Sequence, residues 1–475
     1  MWSEVNTKVE DGNLGKNSNS GTSAQVKIGV SNVSSSEPIL ITSVMKPEQI
    51  KEKLGCTPLA DACIDATENG LKTIYAFPVK ADVDGTVGEL THTGTGKGTV
   101  TIEGKPVNAF DVVVKISETG NSNEGSFTYS IDGGNSFSDD ITIPLSKKFE
   151  VSEIGVTIVF ADADEGEDSF IEDDIYSFET TAPTLNNQSA LKAVEKLKTF
   201  SKKVELCHIV GQSTKALWAA LAALATELND VYKNPIIFLC EARAYRKEES
   251  LDEYIKEMKE ERKGINSIYI SVSATYGWYT RKDMRTQLIN AAGIISGIIG
   301  QAKESLSIGS VENFPISSAK FLKVFPEALC EGYDKELDEM GYTVLRQYVG
   351  KDDFFIANGN VMAPLGSDFQ YIESVRVLNR LVKEVCGAAT DKLQCEIDPL
   401  NLTSSLAPIE AHLNIPVEDC ISDGIISNGE ATIDTENLNI LADETLDVEV
   451  AWVPMGTARI FNIGFKVNNP AKTTD

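Results

Sequence analysis

Residues Thr91-His92-Thr93-Gly94-Thr95-Gly96-Lys97-Gly98-Thr99 set glycines and a lysine near the spacing of a phosphate loop. Such a loop works by aiming backbone N–H groups and a helix N-terminus at phosphate. It asks for Gly at 91 and Ser or Thr at 98; the chain has Thr91 and Gly98, in Gly- and Thr-rich sequence with no helical run after it. A Gly-rich hairpin accounts for the segment. Asp162, Asp164, Asp168 and Asp173 are spaced like a calcium loop, which needs an oxygen side chain at 166 and Gly at 167. Gly166 and Glu167 stand there instead, as in an acidic surface loop.

The three histidines, His92, His208 and His412, are too far apart for a zinc spacing. Cys207 and His208 are adjacent in an apolar strand-like run, so their side chains point to opposite faces and cannot act as nucleophile and base. Ser213 or Thr214 after that run fits a helix N-cap. No catalytic constellation emerges and no cofactor is expected.

The chain has 475 residues, enough for several domains, and a net charge of −28. That charge argues against nucleic acid as a partner. Residues 393–458 carry no Lys or Arg, nor do 161–179; such acid suits solubility or a partner with a basic face. The eight cysteines form no CxxC pair and several lie in apolar runs, as buried thiols do in a reducing compartment. The first residues show no charged-then-apolar signal pattern. Leu288 to Ala302 is too short to cross a membrane, and Gly293, Gly297 and Gly300 suit close helix packing; no membrane insertion is expected.

The periodicities predict an α/β (α+β) multi-domain chain. Residues 1–24 read as an extended arm. Residues 25–82 and 183–366 read as an α/β core, with strands near Ala24–Val30, Pro38–Ile41, Thr73–Val79, Val204–Val210, Pro235–Leu239 and Ser267–Ser273. Its helices fall near Lys46–Leu54, Leu59–Asn69, Ser189–Ser201, Lys215–Tyr232 and Leu251–Arg262. Residues 83–182 form a β-rich insertion, 367–455 a C-terminal domain and 456–475 a strand arm. A helix over Ser367–Cys386 places Ile372, Val375, Asn379, Val382 and Val385 on one face and Arg376, Arg380 and Lys383 on a separate basic stripe. That stripe reads either as paired with nearby carboxylates or as a grip on an acidic partner. In the last segment Phe461, Ile463, Phe465 and Val467 alternate with Ile460, Asn462, Gly464 and Lys466, the period of a strand. It either closes its own sheet or adds to an edge on another copy.

Taken together, the chain resembles the tail sheath proteins of contractile bacteriophages and related contractile injection systems. The resemblance lies in local phrases in a common order: Val26-Lys27-Ile28-Gly29-Val30 before Pro38-Ile39-Leu40-Ile41-Thr42-Ser43; Asn234-Pro235-Ile236-Ile237-Phe238-Leu239; Gly341-Tyr342-Thr343-Val344-Leu345-Arg346; Ser367-Asp368-Phe369-Gln370-Tyr371-Ile372; and Val453-Pro454-Met455-Gly456-Thr457-Ala458-Arg459-Ile460. Gly277-Trp278 departs from the family's proline, and the β-rich insertion has no strict counterpart. The resemblance implies a non-enzymatic subunit of stacked hexameric rings around an inner tube, located in a virion tail or phage-tail-like particle assembled in the bacterial host cytoplasm. Its partners would be itself, the tube protein, and baseplate and terminator proteins. It further implies strand exchange between copies, here through Val5 and Val9 at one end and Arg459, Ile460, Phe461, Ile463, Phe465 and Val467 at the other, with Arg376, Arg380 and Lys383 gripping the tube. An α/β enzyme and an adhesin-like module are the competing classes.

Overall fold

A computed structural model describes residues 24–164, 169–435 and 438–467. Strand β1 (Ala24–Val30) is buried at every position after Ala24 and pairs in parallel on both sides. A strand covered on both faces must be apolar along its length; Gln25 and Lys27 break that rule and find buried partners. β2 (Ile39–Thr42), α1 (Pro47–Leu54), α2 (Pro58–Glu68) and β3 (Thr73–Val79) follow. Both helices open on a proline in the first turn, where its missing N–H leaves no hydrogen bond unmade.

The β-rich segment holds β4 (Thr91–Thr93), β5 (Thr99–Gly104), β6 (Asp111–Glu118), β7 (Ser126–Ser130), β8 (Ile141–Thr142), β9 (Lys148–Val151), β10 (Val156–Ala161) and β11 (Ile175–Glu179). They form two antiparallel sheets, β5-β10-β9 and β4-β11-β6-β7-β8. Alternating residues Val112, Val114 and Ile116 meet Phe127, Ile158, Phe160 and Phe170 in a core of their own. Polar bonds join it to the α/β part: Asn108 donates to Asp61 at 2.7 Å, and Gln287 donates to the Ala109 carbonyl at 2.6 Å.

The chain returns through α3 (Asn187–Val194), β12 (Leu206–Gln212), α4 (Lys215–Asp230), β13 (Ile237–Glu241), α5 (Leu251–Arg262) and β14 (Ile270–Ser273). The six-stranded sheet has the order β14-β13-β12-β1-β3-β2 and is parallel except for β2. The helix expected to run to Ser201 is shorter: it tightens into a 3-10 turn, Glu195–Thr199. Next come β15 (Tyr276–Thr280), β16 (Thr286–Asn290), α6 (Ala292–Gln301), β17 (Phe321–Phe325), α7 (Tyr333–Glu339), β18 (Leu345–Gln347) and β19 (Phe354–Ile356), then α8 (Ile372–Thr390), α9 (Leu402–Ser422), β20 (Ile426–Ile433) and β21 (Val448–Pro454).

The glycines of α6 sit against α2 and the residues after it. A Cβ on Gly297 would lie 2.6 Å from the Asn69 Cβ and 2.7 Å from the Ala66 carbonyl oxygen. Backbone cannot give way as a flexible side chain does. Gly297→Ala should therefore lower the unfolding free energy by about 1–3 kcal/mol in urea melts. Gly387→Ala on α8 meets nothing within 4 Å and should be neutral or stabilising.

Candidate assembly site

Helix α8 carries two usable faces. Val377, Leu381 and Val385 meet Leu406, Ile409, Leu413 and Val417 of α9. The β20–β21 hairpin closes this small core with Ala431 and Ile433, while Val450 and Trp452 pack beside them. Register puts Glu430 opposite Ala451 and Thr432 opposite Glu449, so Glu430, Thr432 and Glu449 share the outer face. The hairpin is a two-stranded sheet, and among the described residues neither strand has a second partner. Unpaired edges of this kind accept further strands.

Beyond Pro454 the chain leaves the hairpin. Arg459 holds the root of the departing segment: its guanidinium donates to Glu373 at 2.5 Å and to Asn358 at 2.7 Å, and lies 3.5 Å from the centre of the Tyr371 ring. Glu373 is buried, so this contact is a shielded, charge-assisted clamp. From Ile460 to Val467 the chain pairs with no strand among the described residues and is exposed. Phe461 is 78 % exposed, and Phe465 and Val467 are each 97 % exposed. Among the described residues it closes no sheet of its own chain. The segment holding Val5 and Val9 lies outside the described residues.

The basic stripe requires a correction. Arg376, Arg380 and Lys383 face inward and are committed within the chain. Buried Arg376 bridges both oxygens of Glu205, at 3.1 and 3.2 Å, and donates to the Ala302 carbonyl at 3.0 Å. Arg380 reaches Asp423 at 2.7 Å, Glu384 at 3.1 Å and Glu304 at 3.5 Å. Lys383 donates to the Val204 carbonyl at 2.6 Å. Burial pulls Lys383 down to about 8; Glu205 opposes this and Lys203 adds to it. Helical periodicity set this stripe apart from Ile372, Val375 and Val385 but missed Val377 and Leu381, which pack on α9, and could not say that a second domain covers the stripe. What the three residues do is fasten α8 to the α/β core.

The segments first considered for chemistry are explained locally. In the phosphate-loop look-alike the buried Asp174 carboxylate accepts from the Thr95 N–H at 2.9 Å and the Gly96 N–H at 3.2 Å, so a side chain of the protein occupies the anion's place. The acidic run through Asp168 falls partly in 165–168, outside the described residues. His208 is fully buried between Lys27 Nζ at 2.9 Å and Glu241 at 2.9 Å, with Lys27 also donating to Ser296 at 2.7 Å. Burial, with Lys27 adding to it, holds His208 well below its usual pKa, and burial raises Glu241 to about 7. Ser213 is not an N-cap: its hydroxyl donates to the Glu241 carbonyl and accepts from Trp218 Nε1. Thr214 holds the cap position without a side-chain bond, and the Lys215 N–H is met by the Glu261 carboxylate at 2.7 Å. His92 stacks on Tyr176, and His412 lies 3.8 Å from Asp391.

The fold has relatives among solved structures. The helical sheath of the anti-feeding prophage in its contracted state matches 98 % of this chain and 99 % of its own, at 9 % identity and a TM-score of 0.53. Sheath tail proteins from Desulfitobacterium hafniense and Listeria innocua are also similar, each at 12 % identity. The first covers 96 % of this chain and 100 % of its own at a TM-score of 0.49; the second covers 91 % and 94 % at 0.47. No curated protein matches the sequence. A model for the DUF2586 N-terminal domain matches residues 2–360, and one for the DUF2586 C-terminal domain matches 368–472. Matched in this way along both segments, the chain belongs to the DUF2586 family.

Proposed function

We propose that this chain is the structural subunit of a contractile tail sheath. Copies polymerise as stacked rings around an inner tube, and contraction of the polymer drives the tube through a bacterial envelope. One observation carries the reading most: a strand-patterned apolar segment leaves the body beside a two-stranded hairpin that has no further strand partner among the described residues, on a fold shared with a contracted sheath. An isolated strand in water leaves its backbone unpaired and its apolar side chains wet, so it is stable only when added to a sheet. On another copy's sheet each main-chain hydrogen bond contributes about 0.5–1.5 kcal/mol net. Over roughly four to six bonds this outweighs a surface ion pair. The segment around Val5 and Val9 supplies the matching link at the other end.

The tube protein, baseplate and terminator are the partners this role requires. The role calls for no turnover: the buried Lys27–His208–Glu241 chain satisfies its own polar atoms and works as a core element. The test is negative-stain microscopy of the purified chain in chelator without nucleotide, alone and with its tube protein. Hollow or tube-filled helical polymers are expected. Folded, dispersed monomers under both conditions would overturn the proposal.

A further inference from the structure

The exposed charges of this chain are segregated. Residues 192–203 carry Lys192, Lys196, Lys198, Lys202 and Lys203 against the single acid Glu195. In a chain with 71 acids and 43 bases such a run is unusual. Lys198 is paired with Glu227 at 2.8 Å. Lys192, Lys196, Lys202 and Lys203 are exposed, and among the described residues none of them meets a carboxylate.

The C-terminal domain is the opposite. Between 393 and 458 it has no Lys or Arg. Glu418 and Asp419 on α9, and Glu430 and Glu449 on the outer face of the hairpin, are exposed and meet no cation among the described residues. α3 packs on the β1–β3 side of the large sheet; the acids are spread around the C-terminal unit, Glu430 and Glu449 on the outer face of the hairpin and Glu418 and Asp419 on the sides of α9 turned away from its buried stripe.

We infer that the lysine surface of one copy, Lys192, Lys196, Lys202 and Lys203, docks against the acidic C-terminal domain of a second copy. This rests on the chain's association with its own copies. Two different, complementary patches on one chain make a heterologous contact, the kind that generates rings and helices, not closed two-fold dimers. Exposed pairs are individually weak and screened by salt. Acting together they orient incoming copies and set the dependence of association on ionic strength.

The experiment compares four full-length proteins by static light scattering at low and high salt, with circular dichroism to check folding. In wild type, attraction between copies should be present at 50 mM salt and screened at 500 mM. Reversing Lys192, Lys196, Lys202 and Lys203 to Glu should turn it to repulsion and weaken association by at least about tenfold. A control reversing Lys256, Lys259, Lys263 and Lys335 to Glu makes the same change in net charge and should retain the attraction. Adding Glu418→Lys, Asp419→Lys, Glu430→Lys and Glu449→Lys to the first variant should restore it. Equal behaviour of the first variant and the control, or failure of the combined reversal to restore attraction, overturns the inference. Absence of tubes in microscopy while the scattering pattern holds would sink the sheath reading alone.

Discussion

A chain ending at Arg459 should fold normally yet fail to form tubes. The physical ground is the division of labour at the end of the described chain. Up to Arg459 the segment serves its own body: the guanidinium is clamped by Glu373, Asn358 and the Tyr371 ring. Past it, Ile460, Phe461, Ile463, Phe465 and Val467 contribute nothing to the core, each being at least 73 % exposed. Removing them deletes no buried contact among the described residues. The melting transition should therefore stay within about 0.5 kcal/mol of wild type, as for surface changes. The link between copies loses its strand, a loss of several main-chain hydrogen bonds and of the apolar face formed by Phe461, Ile463, Phe465 and Val467, and polymer should vanish from sedimentation and microscopy. Arg459→Ala in the full chain separates two effects, because it keeps the strand but frees its root. Wild-type tubes from the chain ending at Arg459 would show that assembly does not run through this segment.

Much of the fold was legible in the sequence. Where apolar residues recur with one clear period and a capping residue marks the end, the expected elements stand: α5 over Leu251–Arg262, started by Ser250 and Glu253, and β3 over Thr73–Val79. The packing role of Gly293, Gly297 and Gly300 was also readable, since three small residues on one helix admit a close neighbour. Helix α9 was not. It contains Pro408 and Pro416, and proline ordinarily ends a helix. Here Leu406, Ile409, Leu413 and Val417 pack against α8 and the hairpin, and tertiary burial overrides the local signal. The alternation of Phe461, Ile463, Phe465 and Val467 needs no tertiary partner to be seen, but the strand it predicts is not formed within the described residues. What covers a face is different information. Nothing in the local spacing of Arg376, Arg380 and Lys383 reports that Glu205, distant in sequence, lies over them.

That covering leads to the second large effect. Arg376→Leu should lower the unfolding free energy by about 3–5 kcal/mol, because it removes one partner of a buried pair and leaves the other uncompensated. The Arg376 side chain is 1 % exposed and that of Glu205 is 18 % exposed, so water can relieve the orphaned Glu205 only in part. The Ala302 carbonyl loses its donor as well. Combining Arg376→Leu with Glu205→Leu should recover much of the loss, since two apolar groups of similar volume leave no charge unmatched. Urea melts of the two single variants and the double variant measure the coupling. Turning Arg376, Arg380 and Lys383 all to Glu should be more severe still. It sets new carboxylates against Glu205, Glu304, Glu384 and Asp423, and the C-terminal domain should separate from the core or the chain fail to fold. A stable, well-folded triple variant would mean that these side chains are not what fastens α8, and would return the stripe to its other reading, a grip on an acidic partner.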